Sequence, residues 1–314
     1  VAVIDEAQDN TPQQWRAVHA MFGGVQRLHV AGDDDQAIFS WAGADMTRLL
    51  EIEGTRRVLA KSWRVPAAVY TLSAAIVSQI RTRVPKQWAP TDGEGAVLVS
   101  TIDSWHPRNV DAGSWLCLAR NRRNLAEVTT RLEDLGVPYI VDGQSILDRR
   151  GVQAVLSYER LRRGESIGAE GFRKLKRHMA VSLSRDEIDD GQVSWGDITW
   201  PFAADPAARP IWLELVERRI LQAPERDVMI LRNIRRSGES LVANPRVVVS
   251  TIHSAKGAEA DNVLLLSDTS RRTAYAAREN PDDEHRVFYV GTTRAKKNLV
   301  IVPPSSKHHY SLLQ

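Results

Sequence analysis

The 314 residues include a single cysteine, Cys117. An internal disulfide is excluded, and this usage fits a reducing compartment. No apolar run approaches the ~18 residues needed to span a bilayer, and no signal-peptide pattern is visible, so no membrane role is expected. There is no internal repeat and no low-complexity tract. Neither charge sign dominates: the net charge is +3 and the pI about 9.1. That balance is compatible with a polyanionic partner without pointing to one. Phenylalanine is scarce, at five residues against nine tryptophans. Most of the tryptophans are expected in packing, and a few are candidates for base stacking. The length suggests about two domains, and 43% hydrophobic with 26% charged residues is ordinary for a globular protein.

What is present begins at the first residue. Val1-Ala2-Val3-Ile4 is a short apolar run that ends in Asp5-Glu6-Ala7-Gln8-Asp9. In an α/β nucleotide hydrolase a buried parallel strand delivers such a pair to the carboxyl edge of the sheet, the Asp to hold Mg²⁺ and the Glu to order and deprotonate a water. An ordinary strand ending in solvated acids reads the same way at this point. Beyond it the pattern predicts a helix over Gln13–Phe22 and strands at Val25–Ala31 and Arg56–Ala60. A helix is predicted from Pro66 to about Ile80, and a linker or crossover over Pro85–Gly95. A second block of strands (96–101, 114–119, 138–141) and helices (121–135, 144–163) follows. Residues 164–243 read as a small, mostly helical insertion. Strands at 247–251 and 262–266, a helix at 283–294 and a strand at 298–302 complete the chain. Alternation of strands with helices argues for parallel sheets.

A second acidic segment, Gly32-Asp33-Asp34-Asp35-Gln36-Ala37-Ile38-Phe39-Ser40-Trp41, is more than a solvated turn. An amide at a strand edge can bond both a terminal phosphate and the attacking water, and the aromatics after it can stack on bases. Together with Asp5-Glu6-Ala7-Gln8-Asp9, this segment resembles motifs II and III of superfamily 1A DNA helicases of the UvrD/Rep/PcrA type. Three further matches occur in the same order. Ser62-Trp63-Arg64 resembles motif IV, where that family usually has Asn-Tyr-Arg. Thr251-Ile252-His253-Ser254-Ala255-Lys256-Gly257-Ala258-Glu259 resembles motif V. Glu284-His285-Arg286-Val287-Phe288-Tyr289-Val290-Gly291-Thr292-Thr293-Arg294-Ala295 resembles motif VI.

The resemblance implies an α/β P-loop NTPase fold of RecA-like parallel sheets flanked by helices. It also implies ATP and Mg²⁺ as cofactors, and single-stranded DNA and duplex junctions as partners. By resemblance Asp5 holds Mg²⁺, Glu6 is the general base and Gln36 senses the γ-phosphate. Arg64 and Arg294 reach that phosphate from opposite sides, as charge building on phosphoryl oxygens requires. Trp63 stacks on adenine, and Gly257 and Glu259 lie on the nucleotide side. Phe39, Trp41, Thr251 and His253 touch single-stranded DNA. Lys256 is expected only to pack its stem, and Arg286 to form an internal ion pair. Residues 1–62 are implied to be the distal part of a first RecA-like domain. Residues 63–163 and 244–314 are implied to form a second, interrupted by a reduced 2B-like insertion at 164–243. Localisation is expected to be cytoplasmic and nucleoid-associated.

The departures bear on activity. No Gly-x-x-x-x-Gly-Lys-Ser/Thr occurs in the chain, so the phosphate cradle with its Lys and hydroxyl is missing. The expectation is a C-terminal part of a longer protein, the alternative a degenerate relative without ATPase activity. Ala42 stands where the family commonly has Arg after the motif III Trp, and the short insertion favours translocation over processive unwinding. The resemblance therefore implies an ATP-driven 3′→5′ helicase or translocase, inactive as this chain alone. Its alternatives are a non-catalytic helicase-like assembly subunit and an ATPase that clears proteins from DNA.

Overall fold

In a computed structural model, the structure describes residues 1–183, 191–200, 202, 209–241 and 244–313. Parts of the expected insertion, at 184–190, 201, 203–208 and 242–243, lie outside the described residues. The chain forms two compact units, Val1–Thr129 with Val247–Gln314, and Thr130–Arg246. In chain order the elements are β1 (Ala2–Ile4), α1 (Pro12–Phe22), β2 (Leu28–Val30), α2 (Thr47–Leu50), α3 (Ala67–Val77), β3 (Ala96–Val99), β4 (Trp115–Ala119), α4 (Arg122–Leu135), β5 (Tyr139–Val141), β6 (Gln144–Ser145), α5 (Arg150–Arg162), α6 (Ala169–His178), α7 (Trp212–Glu217), α8 (Glu225–Ser237), β7 (Val247–Thr251), β8 (Ala260–Leu266), α9 (Arg271–Glu279), α10 (Pro281–Thr292) and β9 (Ala295–Val302).

The first unit is α/β with parallel strands. β1 pairs with β2 in register Ala2 to Leu28. α1 starts where Thr11 and Gln14 form a capping box and Pro12 takes the first turn. It buries Trp15 and Val18 against Ala7, Ile4 and Val30. The larger sheet runs β3-β9-β8-β4-β7 within this unit, every pairing parallel. β4 is buried along its whole length, as a strand covered on both faces must be, which is why its sequence is an unbroken apolar run. α3 buries Val69, Ser73 and Ile76, spaced as one helical face. α10 buries Phe288, whose ring stacks on Tyr310 with centroids 4.1 Å apart. Gly95 leads into β3 at φ +62, and a Cβ there would meet Lys297 O at 2.5 Å. Only glycine suits both conditions.

Two expected elements differ. Arg56–Ala60 forms no strand, and its Val58 and Leu59 are 49% and 87% exposed. Nothing pairs there except one bridge between Lys61 and Ala89, and an extended segment without a neighbour gains no ladder. The helix expected over 144–163 begins at Arg150. Its first residues instead pair as a β5–β6 hairpin and then form a short turn capped by Ser145 and Asp148.

The second unit is mainly helical, with α5 and α6 packed together. Tyr158 is fully buried and donates to Pro210 O at 2.6 Å. Trp195 and Trp200 stack at 4.2 Å. Buried Glu133 accepts from Arg226 Nε at 3.0 Å and from Tyr139 Oη at 2.8 Å. Among the described residues no helix is long and apolar enough to cross a membrane.

Candidate functional site

The first unit contains an open cleft of about 720 Å³ whose lining includes Asp5, Glu6, Asp33, Gln36, Arg64 and Lys86. Asp5 and Glu6 come from the carboxyl end of β1, and Asp33 and Gln36 follow β2. Ligands of parallel α/β sheets bind at this edge. Glu6 adopts a left-handed backbone at φ 49, sparsely populated by non-glycine residues and typical of functional turns. Its carboxylate accepts from Gln8 Nε2 at 2.5 Å. Gln8 is fully buried, and its Oε1 accepts from Asp33 N at 3.0 Å. One amide thus ties the two acidic segments together.

Gln36 is held at both ends of its side chain. Its Nε2 donates to Asp33 Oδ2 at 2.7 Å, and its Oε1 accepts from Arg294 Nη2 at 3.0 Å. Arg294 is only 2% exposed. Its Nε donates to Val290 O at 2.9 Å, and among the described residues it has no carboxylate partner. Burial, then the nearby Arg64 guanidinium, lower its pKa to about 10. Arg64 pairs at 3.7 Å with Glu259, while its buried Nε has no hydrogen-bond partner. Arg294 also donates to Ala258 O at 3.4 Å and to Thr293 Oγ1 at 3.3 Å, so neutral groups occupy most of its donors, while Arg64 keeps its Nε unused. Two guanidiniums without a close carboxylate fork, beside an amide, form a site suited to an anion. Glu259 also pairs with Lys296. Lys296 first, and Arg64 and Arg294 further off, hold its carboxyl below the usual range despite partial burial.

Lys256 does more than pack its stem. Its ammonium is 2.5 Å from Asp9 Oδ2, 3.5 Å from Glu6 Oε2, and donates to Gln36 O at 2.7 Å. Burial raises the Asp9 carboxyl, against the pull of Lys256. Arg286, expected to pair within motif VI, pairs instead with Asp283 just before it at 3.6 Å, and also donates to Asp34 O at 2.9 Å.

The three consecutive aspartates have partners that sequence reasoning missed. Arg83 forks onto Asp35 with both bonds at 2.7 Å. Lys86 is 2.7 Å from Asp33, contacts Asp34, and is 3.0 Å from Asp35. Burial would raise the Asp33 carboxyl, but Lys86 and Gln36 together hold it lower. Both cations lie at the edge of the stretch read as a linker. The one sequence signal for them was a basic cluster, Arg81, Arg83 and Lys86, to match an acidic one.

Phe39, Trp41 and His253 form a triangle of rings with centroids 6.1 to 6.3 Å apart. Trp41 is 72% exposed. Burial, reinforced by Arg120, lowers His253 to about 4, so its ring is neutral at physiological pH. Thr251 Oγ1 donates to Ser254 Oγ at 3.0 Å at the end of β7. Gly257 turns the chain at φ 82. Trp63 is 85% exposed, with Lys61 Nζ 5.2 Å from its ring centroid. Trp63, Gly257, Glu259 and Arg294 are not among the residues lining the cleft; Arg294 reaches it through Gln36.

Residues 1–56 match the UvrD/REP helicase N-terminal domain, and residues 226–306 match the UvrD-like helicase C-terminal domain. The chain belongs to the UvrD-like helicase family. It is similar to ATP-dependent DNA helicase UvrD2 of Mycobacterium tuberculosis, 27% identical over 337 residues, covering 95% of this chain and 46% of that protein. It is similar to ATP-dependent DNA helicase PcrA of Bacillus subtilis, 27% identical over 180 residues, covering 50% of this chain and 24% of that one. It is also similar to DNA helicase II of Escherichia coli, 24% identical over 182 residues, covering 51% and 25% respectively. The chain thus spans about half the length of the UvrD2 relative or less of the others. As a UvrD-like protein it has the P-loop NTPase fold class, and both acidic segments fall inside the matched N-terminal region.

Proposed function

We propose that this UvrD-like protein works as an ATP-dependent DNA helicase or translocase that moves 3′→5′ along single-stranded DNA. The observation that carries the reading is the contact between buried Arg294 and Gln36, an amide that lines the cleft together with Arg64, Asp5 and Glu6. Arg64 and Arg294 would hold the terminal phosphate of ATP and neutralise charge that develops on it. Such an arginine is worth about 10³–10⁵ in rate. Gln36, fixed by Asp33, would orient the attacking water, and Glu6 would accept its proton. Trp63 would offer its exposed face to adenine, with Gly257 and Glu259 on the nucleotide side.

Mg²⁺ fits this site. Asp5 is exposed in the cleft, one of its oxygens accepting from Glu6 N at 2.9 Å. Among the described residues no cluster of three or more candidate ligands forms a ready-made cage. One carboxylate completed by water and phosphate oxygens is the coordination Mg²⁺ favours. When bound, it would offset charge on the phosphates.

Phe39, Trp41, Thr251 and His253 would hold the single strand. The domain reading goes with this function: 1–62 as part of a first RecA-like domain, 63–163 and 244–314 as a second, and 164–243 as a reduced 2B-like insertion. Because these 314 residues carry no Gly-x-x-x-x-Gly-Lys-Ser/Thr, we expect little ATP turnover from them alone. The test is ATPase activity, with and without single-stranded DNA, on a form of the protein that carries a phosphate loop. Strong stimulation supports a motor. DNA binding without stimulation would support a non-catalytic helicase-like subunit instead.

A further inference from the structure

Helix α9 carries a basic face that the reading above leaves unused. Arg271, Tyr275 and Arg278 are spaced i, i+4 and i+7, so they share one side of the helix. The two guanidiniums lie 5.5 and 5.3 Å from the Tyr275 ring centroid. Tyr275 is half exposed, and Arg272 is exposed beside Arg271. None of the three arginines forms a salt bridge among the described residues. Glu279, the one acid of the helix, stands at its far end.

This placement works against the helix itself. Arg271 and Arg272 occupy the first turn, where the macrodipole disfavours cations. Like charges along one face add repulsion. The helix is nevertheless held firmly, capped by Ser270, which accepts from Thr273 N at 3.1 Å, with Thr273 buried. A bound polyanion would turn both penalties into attraction.

The sheet places α9 on the same edge as the aromatic triangle. β7 ends at Thr251 and leads to His253, while β8 ends at Leu266 and leads to α9. Both flank β4, and all three are parallel. At ~4.8 Å per strand the two exits are roughly 10 Å apart. The start of α9, where Thr273 Oγ1 meets Asn121 Oδ1 just past β4, therefore lies at the same sheet edge as the loop that carries His253.

We propose that α9 extends the single-strand track, with Arg271, Arg272 and Arg278 binding backbone phosphates and Tyr275 holding two of the guanidiniums in place. The proposal rests on the DNA-binding reading above. The test is fluorescence anisotropy of a labelled oligothymidylate across a salt series. The Arg271→Ala/Arg272→Ala/Arg278→Ala variant, Tyr275→Leu, Tyr275→Phe and Trp41→Ala are compared with the unsubstituted chain. With ~0.7 of salt slope per phosphate contact on single strands, the triple variant should lose about 2 from the slope. That corresponds to roughly 10- to 50-fold in affinity near physiological salt. Tyr275→Leu should weaken binding with a smaller slope change, and Tyr275→Phe should restore it. Weakened binding in Trp41→Ala, with the triple variant matching the unsubstituted chain in affinity and slope, would overturn this proposal alone. No single-strand binding by the unsubstituted chain would overturn both readings.

Discussion

Replacing Lys86 by Met tests whether the Asp33-Asp34-Asp35 segment is held by an ion cluster. Met keeps most of the stem and removes the charge. The side chain of Lys86 is 15% exposed, and those of Asp34 and Asp35 are 5% and 2% exposed. Without Lys86, Asp35 keeps Arg83, and Asp34 keeps the amide of Val84 at 2.7 Å. Asp34 would then be a buried carboxylate with no direct ion pair among the described residues, Arg83 acting on it only at longer range. Breaking a buried pair by removing one partner costs about 3–5 kcal/mol. Since Asp33 is partly solvated, we expect about 3 kcal/mol. The assay is urea unfolding of Lys86→Met, Asp34→Asn and the double variant. The double variant should recover more than 1 kcal/mol relative to additivity, because the amide no longer demands a cation.

The pH dependence supplies a second arm. The Asp33 pKa lies below 3.8 and that of Lys86 above 10.5. Stability from the cluster is therefore present above the carboxylate range and lost as pH falls through the native Asp pKa. On the Lys side it is present below 10.5 and lost as pH rises through the native Lys pKa. The deficit of Lys86→Met should shrink as pH falls through the native Asp33 range, because the unsubstituted protein loses the stability of that pair there. A deficit under ~0.5 kcal/mol at neutral pH, or strict additivity with Asp34→Asn, would refute the argument.

Three other outcomes are expected. In a form with a phosphate loop, Glu6→Gln should abolish ATP hydrolysis and spare ATP binding; single-turnover kinetics beside nucleotide binding would reveal either failing. The depressed His253 means that the unfolded chain binds its proton first, so stability falls as pH drops from 6.5 towards 4. Between pH 7 and pH 5, His253→Asn should be spared a loss on the order of 2 kcal/mol that the unsubstituted protein suffers in urea unfolding; equal losses would remove this account. Gly95→Ala forces a Cβ towards Lys297 O in a left-handed backbone. It should cost about 2–4 kcal/mol by the same assay, and a neutral result would show that the turn can rearrange.

The sheet of the first unit was largely legible because buried parallel strands read as unbroken apolar runs. β7 spans the residues expected of it, and β4 starts one residue later than expected. Val58 and Leu59 misled for the same reason: an apolar pair signals a strand only if another strand lies beside it, and pairing is not local. The cleft residues were legible as residue types at fixed places along the chain. Their partners were not. Arg83 and Lys86 meet acids about 50 residues earlier, and Lys256 meets Asp9 247 residues away. Such contacts depend on tertiary packing, which periodicity does not encode.

Those distant contacts also join the cleft to the aromatic triangle. The Lys256 ammonium touches Asp9 and the backbone of Gln36. It also stands 5.4 Å from the centroid of Phe39, whose ring meets Trp41 and His253. A single side chain, 7% exposed, therefore contacts both the segment that carries Gln36 and the aromatic triangle. Under the function proposed above, a shift of Gln36 as Arg294 meets phosphate would change the carbonyl that Lys256 holds. The ring under it would then feel the displacement directly. The link needs no long chain of intermediates, only Ala37 and Ile38 between Gln36 and Phe39 and the one lysine bridging them.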